Sequence, residues 1–118
     1  MENKNRIYYL STCSTCQKIL QSLNTRSCQL IDIKESPISE TELDFMAKMA
    51  GSYEALFSRR AIKYRSMGLQ DKNLNEMDYR KLILDEYTFL KRPVILVGNQ
   101  IFIGNAASSV ESARKALQ

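Results

Sequence analysis

The spacing of apolar residues changes character along the chain, and each change marks an element. Arg6-Ile7-Tyr8-Tyr9-Leu10 is a short β-prone run closed by Ser11-Thr12. From Ser14 to Leu23 the apolar residues Ile19, Leu20 and Leu23 fall at helical spacing. Cys28-Gln29-Leu30-Ile31-Asp32-Ile33 reads as a second strand. Two strands joined through a helix should run parallel, with a right-handed crossover. Ser36-Pro37 breaks that pattern, and Ser39-Glu40-Thr41-Glu42 forms a capping box that opens a helix. Leu43, Phe45, Met46 and Met49 continue it, the last three read as core of a helical insertion, and Gly51 offers a stop. Tyr53 to Arg65 reads as a helix or helical turns ending before Met67-Gly68-Leu69, and Met77 to Leu84 as a helix begun by Asn75.

Arg92-Pro93 leads into Val94-Ile95-Leu96-Val97, and Gln100-Ile101-Phe102-Ile103 follows after Gly98-Asn99. Two such strands around a two-residue turn make a tight hairpin. Gly104 ends it, and Ala106 to Leu117 reads as a terminal helix with Val110, Ala113 and Leu117 on one face. The order predicts an α/β fold of thioredoxin-like type, βαβ…ββα, with a mixed four-stranded sheet. On this reading residues 1–118 form a single domain: a βαβ half (1–35), a helical insertion (36–90) and a ββα half (91–118).

Composition removes more possibilities than it adds. At 118 residues the chain suits one domain. Lys and Arg outnumber Asp and Glu by 17 to 13, a net charge of +4 that favours an anionic substrate or partner. No dense basic block with interleaved aromatics appears, so direct nucleic-acid binding is not expected. No apolar run approaches the ~18 residues of a membrane span, and the polar Met1-Glu2-Asn3-Lys4-Asn5 start predicts no secretory signal. A cytoplasmic protein is expected. The absence of histidine rules out Cys-His and Ser-His catalytic pairs. One Cys-x-x-Cys with one further cysteine is too few for a four-thiolate zinc site, and no metal is expected.

What remains is Thr12-Cys13-Ser14-Thr15-Cys16, at the handover from first strand to first helix. A helix start presents free N–H groups and about half a positive charge, which favours thiolate over thiol. Cysteines so placed reach pKa values of roughly 3.5–7.5 against ~8.5 for a free one. Cys13, at the open end, is the expected nucleophile; Cys16, one turn on, is the expected resolving partner. Cys28, at the edge of the second strand, is expected to be buried and inert. Tyr8 and Tyr9 are read as strand packing.

Leu10-Ser11-Thr12-Cys13-Ser14-Thr15-Cys16-Gln17-Lys18 resembles the opening motif of the arsenate reductase (ArsC) and Spx family. Leu56-Phe57-Ser58-Arg59-Arg60 with Tyr64 and Met67-Gly68-Leu69, then Leu90-Lys91-Arg92-Pro93-Val94-Ile95 with Gly104, extend the likeness over nearly the whole chain. The resemblance implies a thioredoxin-like fold with a helical insertion and a nucleophilic Cys13. It implies an oxyanion-holding Arg92, a cis-proline at Pro93, and an arginine near the redox pair that is Arg60 or, in another register, Arg59. Ser14 and Thr15, beside the nucleophile, join the expected substrate-binding set with these arginines and Pro93.

A reductase of this kind attacks arsenate with Cys13 and is regenerated by glutathione or another thiol donor, with glutaredoxin or thioredoxin as partner and no bound cofactor. Two features depart from that pattern. Ile101-Phe102-Ile103-Gly104-Asn105 lacks the third arginine of the reductases, and Cys16 is a residue that glutaredoxin-linked members commonly lack. Both are Spx-like. Spx regulators bind the RNA polymerase α subunit, which makes a Cys13–Cys16 redox switch the alternative function. Against it, the sequence stops at Gln118 without the longer Spx tail, and Gly51-Ser52 lies only near the glycine used for that contact.

Overall fold

The computed structural model describes residues 5–118; the Met1–Lys4 part of the polar start lies outside them. The described chain forms two compact units, one running to Ser36 and resuming from Arg92 to Gln118, the other Pro37–Lys91.

The first unit is built on a four-stranded sheet in the order β2-β1-β3-β4. Its strands are β1 (Asn5–Tyr9), β2 (Cys28–Asp32), β3 (Val94–Val97) and β4 (Gln100–Ile103). β1 runs parallel to β2, with Ile7 opposite Leu30 and Tyr9 opposite Asp32. It runs antiparallel to β3, with Ile7 opposite Ile95, and β3 pairs antiparallel with β4. The sheet is therefore mixed, as the order of elements predicts.

Helices α1 (Ser14–Ser22) and α5 (Ala107–Ala116) complete this unit. Strand side chains alternate between faces. Ile7 and Ile95 accordingly meet Ile19 and Leu23 from the α1 region and Ala113 and Leu117 from the α5 region in one core cluster. Tyr9, Leu20, Cys28, Val97, Phe102 and Val110 pack against it. The expected apolar stripes of both helices and the packing role of Tyr9 are thus realised. Tyr8, Val94 and Leu96, alternating with that set, are buried as well.

The second unit holds α2 (Glu40–Ala50), α3 (Ile62–Ser66) and α4 (Glu76–Asp85), with 3-10 turns at Glu54–Leu56, Leu69–Asp71 and Tyr87–Phe89. Ser39 caps α2 in a full capping box with Glu42, and Gly51 closes the helix in the left-handed region at φ 98°. Asn75 and Asp78 form a second box at α4. One expectation is corrected here and another is narrowed. Phe45 is 52% exposed, because the buried stripe of α2 is Leu43, Met46 and Ala47, and Phe45, two places on from Leu43, lies on the opposite side of the helix. Of the two readings of Tyr53–Arg65, a helix or helical turns, the second holds: after the Glu54–Leu56 turn, Phe57 is extended and bridges Leu90, and α3 begins only at Ile62. The aromatic ring explains the break. Phe57 stacks on Phe89 at 5.0 Å and meets Tyr79 at 4.9 Å, a packing that a surface helix would not provide.

Candidate active site

The short segment between β1 and α1 ends on Cys13 and leads into Cys16. Leu10 accepts a backbone hydrogen bond from Cys13 N–H at 3.0 Å, closing a tight turn over Ser11-Thr12. Cys13 then serves as the N-cap of α1, with extended backbone (φ −95°, ψ 114°). The first turn of α1 contains no acidic residue, so no carboxylate offsets its positive end.

Cys13 is half-buried and Cys16 is buried; neither is in a disulfide. Their acidities move apart. Burial pushes the Cys13 thiol up, but the Cys16 backbone N–H, the Cys16 thiol, the Thr15 backbone N–H and the Arg92 charge outweigh it, and the net shift is downward. Cys16 moves upward: burial leads, and the charge and hydrogen bond of Cys13 add to it against a backbone bond from Leu10. The buried thiol holds its proton and donates toward its neighbour's sulfur. This asymmetry makes Cys13 the more acidic thiol of the pair.

Arg92 and Pro93 precede β3, joined by a cis peptide bond, the geometry expected at Pro93. Arg92 is half-buried, with its Nε fully buried, and its charge acts on both sulfurs. Gly104, in the left-handed region at φ 86°, donates its N–H to the Pro93 carbonyl at 2.9 Å and ties the end of β4 to the Arg92-Pro93 segment. Ser14 and Thr15 are exposed on the first turn of α1. The sheet unit thus brings together Cys13, Cys16, Ser14, Thr15, Arg92 and Pro93.

Arg59 and Arg60 belong to the other unit. Arg59 Nη2 donates to Glu54 and to the Tyr79 hydroxyl, each at 2.9 Å, and its guanidinium lies over the Tyr79 ring at 5.7 Å. Arg59 is thus paired within its own unit. Arg60 is exposed, and its backbone N–H donates to Ser58 Oγ. Cys28 is half-buried rather than fully buried, packs on the sheet core and has its thiol pushed up by burial.

Sequence reasoning missed the roles of three residues that brace this turn. Ser11 Oγ donates to Asp32 Oδ2 at 2.5 Å, and Gln17 donates to the Ser11 carbonyl. The signal was available: parallel pairing of β1 with β2 places Asp32 beside the end of β1, next to Ser11. Among the described residues no cluster of His, Cys, Asp or Glu is arranged to hold a metal, and no helix is long and apolar enough to cross a membrane.

A mixed sheet in the order β2-β1-β3-β4, with Cys-x-x-Cys at the start of α1 and a cis-proline before β3, defines a thioredoxin-like α/β protein. The model of the ArsC family matches residues 8–113, and the chain belongs to that family. Solved structures with the same fold include a YffB protein (21% identical, covering 98% of this chain and 100% of that one, TM-score 0.82). An arsenate reductase from Vibrio cholerae is 19% identical over 97% of this chain and 98% of its own, with a TM-score of 0.77. An arsenate reductase related protein from Brucella melitensis is 22% identical over 95% of each chain, with a TM-score of 0.71. At these identities the likeness is one of fold. The mitochondrial RNA helicase MSS116 of Candida albicans matches at 32% identity over 79 residues, 67% of this chain; the match spans 11% of the helicase's length, and it carries no helicase activity over to this chain.

Proposed function

We propose that the chain is a thiol-dependent oxidoreductase in which the Cys13 thiolate attacks an oxyanion of the arsenate type. Cys13 at the N-cap of α1, in hydrogen-bond contact with the buried Cys16 and near the Arg92 charge, is the observation that carries this reading. A thiolate flanked by helix N–H groups and an arginine suits a tetrahedral anion, because those donors stabilise negative charge as it builds on the oxygens. Attack by sulfur on arsenic expels hydroxide and forms a Cys13–arsenic bond. A glutathione thiolate then attacks the Cys13 sulfur. The sulfur–arsenic bond breaks with its electron pair on arsenic, which departs as arsenite and leaves a Cys13–glutathione disulfide. A second thiol, from glutaredoxin, thioredoxin or Cys16, resolves it, so two thiols supply the two electrons.

Cys16 suits a late role. While Cys13 carries charge, Cys16 is held protonated; once that charge is consumed, one of the causes raising its pKa disappears, although burial remains. The same contact supports a second reading, a reversible Cys13–Cys16 disulfide that changes binding to the RNA polymerase α subunit.

The test is arsenate-dependent NADPH oxidation coupled through glutathione and glutaredoxin. Turnover that disappears in Cys13→Ser is the expected result. Absent turnover, with Cys13 still rapidly alkylated, would overturn the oxyanion chemistry and turn attention to the polymerase.

A further inference from the structure

The turn before Cys13 is braced from both sides. The Asp32 carboxylate, at the end of β2, accepts the Ser11 hydroxyl at 2.5 Å on Oδ2 and the Lys34 backbone N–H at 3.1 Å on Oδ1. It also receives the Ser11 backbone N–H. From the other side, the Gln17 side chain donates to the Ser11 carbonyl, while Gln17 N–H accepts its place in α1 by donating to the Cys13 carbonyl at 3.1 Å. Asp32 is itself fixed by its strand: it pairs opposite Tyr9, its carbonyl takes Ser36 N–H at 2.8 Å, and the next residue, Ile33, donates to Tyr9 O at 2.9 Å. Ser11 is therefore the hinge pin of a two-residue turn whose end, Cys13, is the N-cap of α1.

We infer that Asp32 is a positioning residue for Cys13: through Ser11 it sets the turn that aims the Cys13 sulfur at the N–H groups of α1. The inference rests on Cys13 being the reacting thiol. Hydrogen bonds weaken steeply as their angle closes, so a turn free to pivot would leave the Thr15 and Cys16 donors poorly aligned on the sulfur. Asp32 acts through a hydrogen-bonded partner, the Ser11 hydroxyl. Its carboxylate is held below the usual range by the Ser11 hydroxyl first of all, against the cost of burial, with Lys34 and the Ser11 N–H contributing. The brace is therefore ionised, and at full strength, near neutral pH.

The sign of the effect separates positioning from simple charge. Removing a negative charge from the neighbourhood of a thiol would by itself make that thiol more acidic. Loss of positioning makes it less acidic. The experiment is the pH dependence of iodoacetamide alkylation at Cys13, followed by mass spectrometry of the Cys13 peptide, in wild type, Asp32→Asn, Ser11→Ala and Ser11→Thr. Thermal unfolding is measured on the same proteins. Alkylation reads the thiol without any oxyanion, so a chain that does not reduce arsenate can still confirm or refute the brace.

Positioning predicts an upward shift of about half a unit in both Asp32→Asn and Ser11→Ala, a roughly threefold loss of alkylation rate at pH 6. Ser11→Thr, which keeps the hydroxyl, should titrate near wild type. A lower melting temperature with an unmoved midpoint would overturn the inference, making Asp32 a strand tie and nothing more. A midpoint that falls in Asp32→Asn while Ser11→Ala is unchanged would overturn it too, in favour of direct charge. Should Asp32→Asn fail to fold, Ser11→Ala against Ser11→Thr decides the matter alone.

Discussion

Reactivity at the scale of single residues comes from a division of labour between two sulfurs. Cys13 sits where the chain enters α1 and collects hydrogen bonds; Cys16 sits one turn deeper and supplies two of them, from its backbone N–H and its thiol. Replacing Cys16 with alanine removes the donated S–H bond, and the Cys13 titration should move up by about half a unit to one unit, measurable by alkylation against pH. Arg92 contributes differently, as a charge felt by both thiols. Arg92→Gln should lower arsenate turnover by about 10²-fold, the scale of losing one donor to a developing oxyanion. Arg92→Lys should recover part of it, since charge survives without the planar fork. The cysteine pair was legible in the sequence from its spacing and its place between β1 and α1, and Arg92 from the family resemblance. Asp32 was not, because its partner lies 21 positions away and is brought near only by strand pairing.

At the scale of elements, local signals were reliable where a side chain caps its own backbone. Ser39 with Glu42 and Asn75 with Asp78 both form complete boxes. Ser39→Ala and Asn75→Ala should each cost about 1 kcal/mol, read as a shift in urea midpoint at constant slope. Signals failed where long-range packing competed. The stretch after Tyr53 has helix-compatible residues, yet Phe57 is drawn into an extended bridge by the ring of Phe89 and the edge of Tyr64 at 6.0 Å. Phe45 has the composition of core and the wrong phase for it. In the sheet unit, by contrast, period-two strands and helical stripes agree, and Ile7 and Ile95 are buried where they meet α1 and α5. Ile95→Ala should destabilise the fold by roughly 2–5 kcal/mol through the cavity it leaves.

For the molecule as a whole, charge is distributed so that acid should loosen it. In the folded chain the Asp32, Asp44, Glu86 and Glu111 carboxyls are held low, chiefly by hydrogen bonds from Ser11, Arg80, Lys63 and Arg114 respectively. A carboxyl lowered on folding stabilises fully above its unfolded pKa of about 4, and that contribution is lost as pH falls through the lower folded value. Circular dichroism should therefore show stability flat near neutrality and falling below about pH 4. High salt should blunt the dependence, since most of these pairs are exposed.

The central claim is that one cysteine of the three is an activated thiolate, and competitive alkylation of the wild-type chain against pH tests it most directly. Mass spectrometry resolves the three sites in a single sample. Cys13 should react first, with a midpoint below the ~8.5 of a free cysteine, while Cys16 and Cys28 titrate above it. If Cys13 titrates at or above the free value, or reacts no faster than Cys28, the helix-end activation and the chemistry built on it are contradicted.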